Sequence, residues 1–256
     1  MEFTGERYMP EEISSSDHMS NMHLERYKFA IPFVNHKEVM DIACGEGYGS
    51  NLLTETADKV TGIDIDPETI EYASKKYKKD NLFFGVGNVE KIEKPNESID
   101  VIISFETIEH VKSKTQKKFI KEVWRVLKPG GIFIVSTPDK DMGGEGYNEF
   151  HLCELTKAQF LKLLKPYFYT IDLYGQDIKT YGNKFSLIII RLLHLLIKID
   201  KFKLRHKFFP KKLRLSVDNG VSNSAINRDT VNDHAYIPQK INLEQTANYL
   251  IAVCKK

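Results

Sequence analysis

Three cysteines, Cys44, Cys153 and Cys254, lie far apart in a chain of 256 residues. No CxxC or CxH pair occurs among them, so neither a zinc knuckle nor a disulfide framework is expected. The spacing suits small buried thiols in a reducing cytoplasm. Excess charge of one sign is also missing: 37 basic against 35 acidic residues leave a formal net charge of +2. That balance, with no recognisable nucleic-acid motif, argues against nucleic acid as a partner. The first residues, "MEFTGERYMPEE", contain no apolar run of the kind a secretory signal needs. The longest apolar stretch, "FSLIIIRLLHLLIKI" at 185–199, is interrupted by Arg191 and His194 and is short for a bilayer. These absences point to a soluble, cytoplasmic α/β chain. Its hydrophobic fraction of 41% is enough for one sizeable core, or a core with a small appendage.

What is present is a rhythm. "EVMDIA", "KVTGIDI", "LFFGVG", "SIDVIISF" and "GGIFIVST" read as buried strands. Between them lie helical segments, including "PETIEYASKKY" with Pro67 at its first turn and the amphipathic "KTQKKFIKEVWRVL". Alternating strands and helices, with strands apolar on both faces, predict a doubly wound, mostly parallel sheet covered on each side. "TKAQFLKLLKPY", with Thr156 as N-cap, is a further helix, "YTIDLYGQ" a sixth strand and "ANYLIAVCKK" a last one. Before the first strand, residues 1–37 form an arm or lid whose helix, "NMHLERYKFAIPFV", is expected to stop at Pro32. The rhythm breaks at about 181–238, read as an insert between the last two strands of a domain spanning 38–256.

The chemistry begins at "VMDIACGEGYG" (39–49), where a strand ends in a glycine loop. Such a loop sits at the switch point of a doubly wound sheet and lets a ligand approach the backbone. It departs from the dinucleotide fingerprint G-x-G-x-x-G: Ser50 stands where the third glycine belongs. Glu46 adds a carboxylate that would repel a pyrophosphate. Asp64, at the end of the second strand, keeps the ribose-binding position. A nucleoside without phosphates fits this set, and S-adenosylmethionine is such a ligand. Asp41 is a further cofactor-binding candidate, with a second reading as a side chain that only holds the loop by bonding backbone amides.

With these residues in view, the chain resembles the class I S-adenosylmethionine-dependent methyltransferases. The resemblance rests on "VMDIACGEGYG", "VTGIDIDP", "GNVEKI", "IDVIISFETIEHV" and "LKPGGIFIVSTP", in order, over about 38–138. It implies a Rossmann-like seven-stranded sheet ending in an antiparallel strand. The flanks "TGERYMP", "HLERYKFA" and "NEFHLCELTKAQF" resemble bacterial members acting on surface glycans and their precursors.

The resemblance also assigns roles. Gly45 and Gly47 face the methionine and ribose, Asp64 binds the ribose hydroxyls, and Ile65 packs on adenine. Asn88, where the family often has aspartate, reads the adenine edge with the Val89 amide. Phe105 lines the methionine side, and Arg26 pairs with the cofactor carboxylate through a bidentate guanidinium. The product is S-adenosylhomocysteine.

His110, beyond the fourth strand, is the first candidate for general base and His151, after the fifth, the second. The alternative for His110 is a helix-capping or cofactor-orienting role. Glu106 and Glu109 either orient its imidazole or are solvated. No metal is expected, since no carboxylate cluster of the magnesium-gripping kind is seen. The expected reaction is O-methylation of a sugar hydroxyl or a sugar-linked phosphoryl group. Another small metabolite as acceptor, a nicotinamide-dependent oxidoreductase and a non-catalytic cofactor-binding subunit are the alternatives. The basic run "KFKLRHKFFPKKLRL" (201–215) reads either as a peripheral membrane contact at 185–215 or as an insert packed on the domain or on a second subunit of a homodimer.

Overall fold

The computed structural model describes residues 18–142, 150–179 and 236–256. Helix α1 (His18–Val34) leads into an alternating series: β1 (Glu38–Ile42), α2 (Tyr48–Leu53), β2 (Lys59–Asp64), α3 (Pro67–Lys76), β3 (Leu82–Val86) and β4 (Ile99–Ser104). A short 3-10 turn, Ile108–His110, precedes α4 (Ser113–Val126) and β5 (Leu127–Pro138). Then come α5 (Lys157–Leu164), β6 (Thr170–Lys179), β7 (Gln239–Lys240) and β8 (Thr246–Lys255).

The strands form one sheet in the order β3-β2-β1-β4-β5-β8-β6-β7. β1 pairs in parallel with β2 and β4, and β4 in parallel with β5. β8 runs antiparallel to β5, from Ile132 opposite Lys255 to Pro138 opposite Tyr249. The order reverses beside β1, so the loops after β1 and β4 leave the same edge as neighbours. The expected seven strands are all there, and the sequence reading missed an eighth, the two-residue β7 on β6. Two polar residues, Gln239 and Lys240, carry no strand pattern that could have announced it.

Alternation along the strands divides the core. Met40, Ile42, Ile102, Phe133 and Val135 face one side, where Phe119, Ile120 and Val123 of α4 and Phe160 of α5 cover them. Val39, Val101, Ile103 and Ile134 face the other, against Tyr27, Ala30 and Val34 of α1. Each large apolar side chain fully buried this way contributes about 1.5–3 kcal/mol. α1 therefore forms part of one core layer. Its helix also runs past Pro32 to Val34 instead of stopping there. The proline removes a bond to the carbonyl of Lys28, an exposed residue whose carbonyl water can serve, so the last half-turn survives.

Thr156 does cap α5, through a reciprocal box in which its hydroxyl accepts from the Gln159 amide and the Gln159 side chain accepts from the Thr156 amide. Asp66 caps α3 just before Pro67. By its internal contacts the chain divides into Met1–Ile178 with Tyr236–Lys256, and Lys179–Ala235. The insert read at 181–238, the basic run 201–215 and the first half of the N-terminal arm lie almost wholly outside the described residues. Among the described residues no helix is long and apolar enough to cross a membrane.

Candidate active site

The loop after β1 is shaped by backbone conformation. Ala43, Gly45 and Gly47 have φ of 59°, 53° and 80°, in the left-handed region. Gly45 faces open space: a Cβ built there meets nothing within 4 Å. Gly47 has no such room, since its Cβ would lie 2.5 Å from the Phe84 ring. Gly49 is tighter still, with the Tyr27 ring of α1 2.0 Å from a Cβ. The third glycine of this loop thus serves packing by α1, and Gly45 is the one that leaves a cradle.

Asp64 closes the cradle. Its Oδ2 accepts from the Gly45 amide at 3.0 Å and its Oδ1 from the Asp66 amide at 3.0 Å. Each oxygen keeps a further lone pair for a ribose hydroxyl. Ile65 beside it is 68% exposed, an unusual place for isoleucine and a ready face for a purine. Asn88 is exposed, and its carbonyl accepts from the Glu90 amide at 2.8 Å. The adjoining Val89 is half-buried against the core. Phe105 is buried edge-on to Tyr27, with ring centroids 5.1 Å apart.

Asp41 lies wholly inside. Its Oδ2 accepts from the Ser50 hydroxyl at 2.6 Å, and the Tyr27 hydroxyl donates to it at 3.2 Å. It holds the loop through side-chain hydroxyls, not through backbone amides as expected. Burial pushes its carboxyl up to about 7, partly offset by these two bonds. Glu46 is buried too, at 2% exposure.

Arg26 enters from α1 and is fully buried. Its Nε donates to Gln176 Oε1 at 2.6 Å, its Nη1 stands 3.4 Å from Glu106 Oε1, and its guanidinium lies over Tyr249. Nη1 and Nη2 have no hydrogen-bond acceptor among the described residues. A buried guanidinium whose Nη2 has no acceptor among the described residues, and whose Nη1 has only the ion-pair contact with Glu106, fits a ligand carboxylate. Arg26, the Gly45 cradle and Asp64 thus offer buried donors, open space at a backbone turn and free acceptor lone pairs.

A second constellation stands at the carboxyl ends of β4 and β5. His110 and His151, 41 positions apart, meet edge-on with ring centroids 4.9 Å apart. His110 Nδ1 is bonded to the Phe150 carbonyl at 3.2 Å, and His151 Nδ1 to Glu154 Oε1 at 2.9 Å. Both partners only accept, so in each neutral ring the proton sits on Nδ1 and Nε2 is the basic nitrogen. Glu109 is fully buried, not solvated. Its Oε2 accepts from Thr137 Oγ1 at 3.1 Å, and its Oε1 lies 4.0 Å from His110 Nε2. Burial first, then the neighbouring Glu106, hold its carboxyl well above the usual range.

Glu106 takes a φ of 48° and accepts from Ser136 Oγ at 2.6 Å. It is thus paired rather than solvated, and neither glutamate is the hydrogen-bonded orienter of His110. That part falls to a backbone carbonyl, for which a sequence has no symbol. Gln176, Tyr27 and Glu154 are site residues the sequence reading passed over. Only the i,i+3 spacing of His151 and Glu154 offered a signal.

Residues 40–135 match the family model described as a methyltransferase domain. That stretch, from β1 to β5, is what the chain shares with the methyltransferase-domain family, whose members of this kind use S-adenosylmethionine as methyl donor. A probable S-adenosylmethionine-dependent methyltransferase of Mycolicibacterium smegmatis is 33% identical over 166 residues, 63% of this chain and 63% of that protein. A phthiotriol/phenolphthiotriol dimycocerosates methyltransferase of Mycobacterium leprae is 32% identical over 123 residues, 46% and 45% of the two chains. The chain thus spans less than two thirds of the length of these curated relatives. A chain from the complex between the Haloferax volcanii Trm112 methyltransferase activator and the putative methyltransferase superposes with a TM-score of 0.61. It is 17% identical, and the match covers 93% of this chain and 90% of that one. The domain match favours the methyl-donor reading of the β1 loop over the nicotinamide alternative.

Proposed function

We propose that the protein is an S-adenosylmethionine-dependent O-methyltransferase acting on a hydroxyl of a sugar or a sugar-linked phosphoryl group in a surface glycan or its precursor. The observation that carries the oxygen-acceptor reading is the pairing of His110 and His151. Each is tethered through Nδ1 and offers a basic Nε2, at the sheet edge that also carries the Gly45 cradle. A sugar hydroxyl is a poor nucleophile at neutral pH and gains from such a base.

Bound S-adenosylmethionine supplies a methyl group on a sulfonium, an electrophile already activated. The chain has to place an acceptor oxygen in line with it and take away a proton. Asp64 and Gly45 hold the nucleoside end, and Arg26 the amino-acid end. His110 Nε2 removes the hydroxyl proton, with His151 as the second base. As the oxygen–carbon bond forms, the carbon–sulfur bond breaks and its electron pair returns to sulfur. A phosphoryl oxygen would need no base.

The glycan assignment is supported by the flanking stretches "HLERYKFA" and "NEFHLCELTKAQF", which contribute Arg26, His151 and Glu154. A lipid hydroxyl is the second reading, favoured by the relative named for phthiotriol dimycocerosates. Incubation with radiolabelled S-adenosylmethionine and separate panels of sugar nucleotides, lipid-linked sugars and hydroxylated lipids tests both. Label in an O-methyl sugar is expected. Label only in the sugar-free lipids would transfer the assignment to the second reading.

A further inference from the structure

We propose that Glu109, His110 and His151 form a binding site for a divalent first-row transition ion of the zinc type. The inference rests on the methyltransferase reading only for what the ion does there; the site itself stands on its own geometry. Each of the three residues offers one ligand atom, and these atoms all lie within 4.8 Å of one another. Two ligands held about 2.1 Å from zinc stand about 3.4 Å apart in a tetrahedron, so side-chain rotations of roughly an ångström close the set.

Three further observations point to a cation. Glu109 Oε1 is a fully buried carboxylate oxygen with no hydrogen-bond donor among the described residues, and it is turned toward His110 Nε2 at 4.0 Å. Such an atom ordinarily has a partner. Both rings are held by their Nδ1, His151 by the Glu154 carboxylate and His110 by the Phe150 carbonyl. Donating the other ring proton to a carboxylate or carbonyl is the arrangement that orients metal-binding histidines. Finally, Glu106 places a second acidic group beside Glu109, which favours a cation there over an anion.

Two imidazoles and one carboxylate are a borderline-soft donor set that suits zinc-like ions better than magnesium. Three protein ligands leave a fourth position open, as in catalytic sites. At that position the ion would take the acceptor hydroxyl and lower its pKa. The hydroxyl proton would pass to the buffer, and the acceptor oxygen would bond to the methyl carbon as the carbon–sulfur bond breaks and its electron pair goes to sulfur. With the ion bound, the two Nε2 atoms would be ligands and the ion would do the work that the metal-free rings do as bases.

The test uses the full chain, untagged and stripped with chelator. Cobalt(II) chloride is added and followed by visible absorption, and zinc chloride is titrated by calorimetry. The expected result is one ion per chain with the intense visible bands of low-coordinate cobalt. His151→Ala and Glu109→Gln should each weaken binding at least a hundredfold, and Glu154→Ala by about 10–100-fold. His151→Ala keeps the test decisive if Glu109→Gln fails to fold. Metal binding no tighter in the wild type than in the His110→Ala/His151→Ala double variant overturns the site. S-adenosylhomocysteine is titrated in parallel: its binding without metal binding rejects the site alone, and metal binding without it rejects the methyltransferase reading alone.

Discussion

The two halves of the site are made in different ways. At the ends of β1 and β2, the proposed cofactor side consists of backbone shape closed by one carboxylate: Gly45 and Gly47 at positive φ, and Asp64 on the Gly45 amide. At the ends of β4 and β5, the proposed acceptor side consists of side chains from segments 41 positions apart, held by a carbonyl and a carboxylate. A backbone-built site depends on single residues that no other type can replace. A side-chain-built site depends on partners, and its members fail together.

The sharpest way to break this contrast is Asp64→Ala. It removes the acceptor for the Gly45 amide and for the ribose in one step. Affinity for S-adenosylhomocysteine should fall by a hundredfold or more in calorimetry, with the fold unchanged by circular dichroism. His110→Ala and His151→Ala should do the converse, lowering turnover by about 10²–10⁴-fold while cofactor affinity stays within a fewfold. Equal loss of both properties in either histidine variant would merge the two halves.

The glycines sharpen the contrast further. Gly47→Ala combines left-handed strain with a clash against the Phe84 ring, and should lower stability by roughly 2–4 kcal/mol in denaturant unfolding. Gly45→Ala carries the strain without the clash and should cost about 1–2 kcal/mol. Yet Gly45→Ala fills the cradle and should weaken the cofactor more than its stability cost suggests.

The smallest effect concerns pH. Because the folded state raises Asp41 from 3.8 to about 7, it binds a proton there that the unfolded chain has released. Asp41 therefore favours folding below pH about 4 and loses that contribution as pH rises through 7. In Asp41→Asn the fall in unfolding free energy between pH 4 and 7 should flatten. The amide oxygen can still accept from Ser50.

The same contrast decides what could be read in the sequence. Gly45, Gly47 and Asp64 stood out because positive φ and a strand-end carboxylate leave a residue-type signature at fixed spacing. The parallel sheet was legible through the two-sided apolar strands, such as Ile102 facing one layer and Ile103 the other. Glu109 was not: a glutamate in "SFETIEH" gives no sign of being fully buried, because its bonding partners, the Thr137 hydroxyl and the Cys153 amide, come from distant parts of the chain. Gln176 is 150 positions from its partner Arg26, and no local pattern joins them. Asp41 was legible as a loop anchor but not in its partners, since Tyr27 reaches it from a helix that precedes β1.

In this proposal the methyl-donor site and the acceptor site lie side by side and are held independently. Titration of S-adenosylhomocysteine into the wild type, Asp64→Ala and His151→Ala under one set of conditions tests it most directly. One site per chain is predicted, lost in Asp64→Ala and kept in His151→Ala. Absence of binding in the wild type, or equal weakening in both variants, would contradict it.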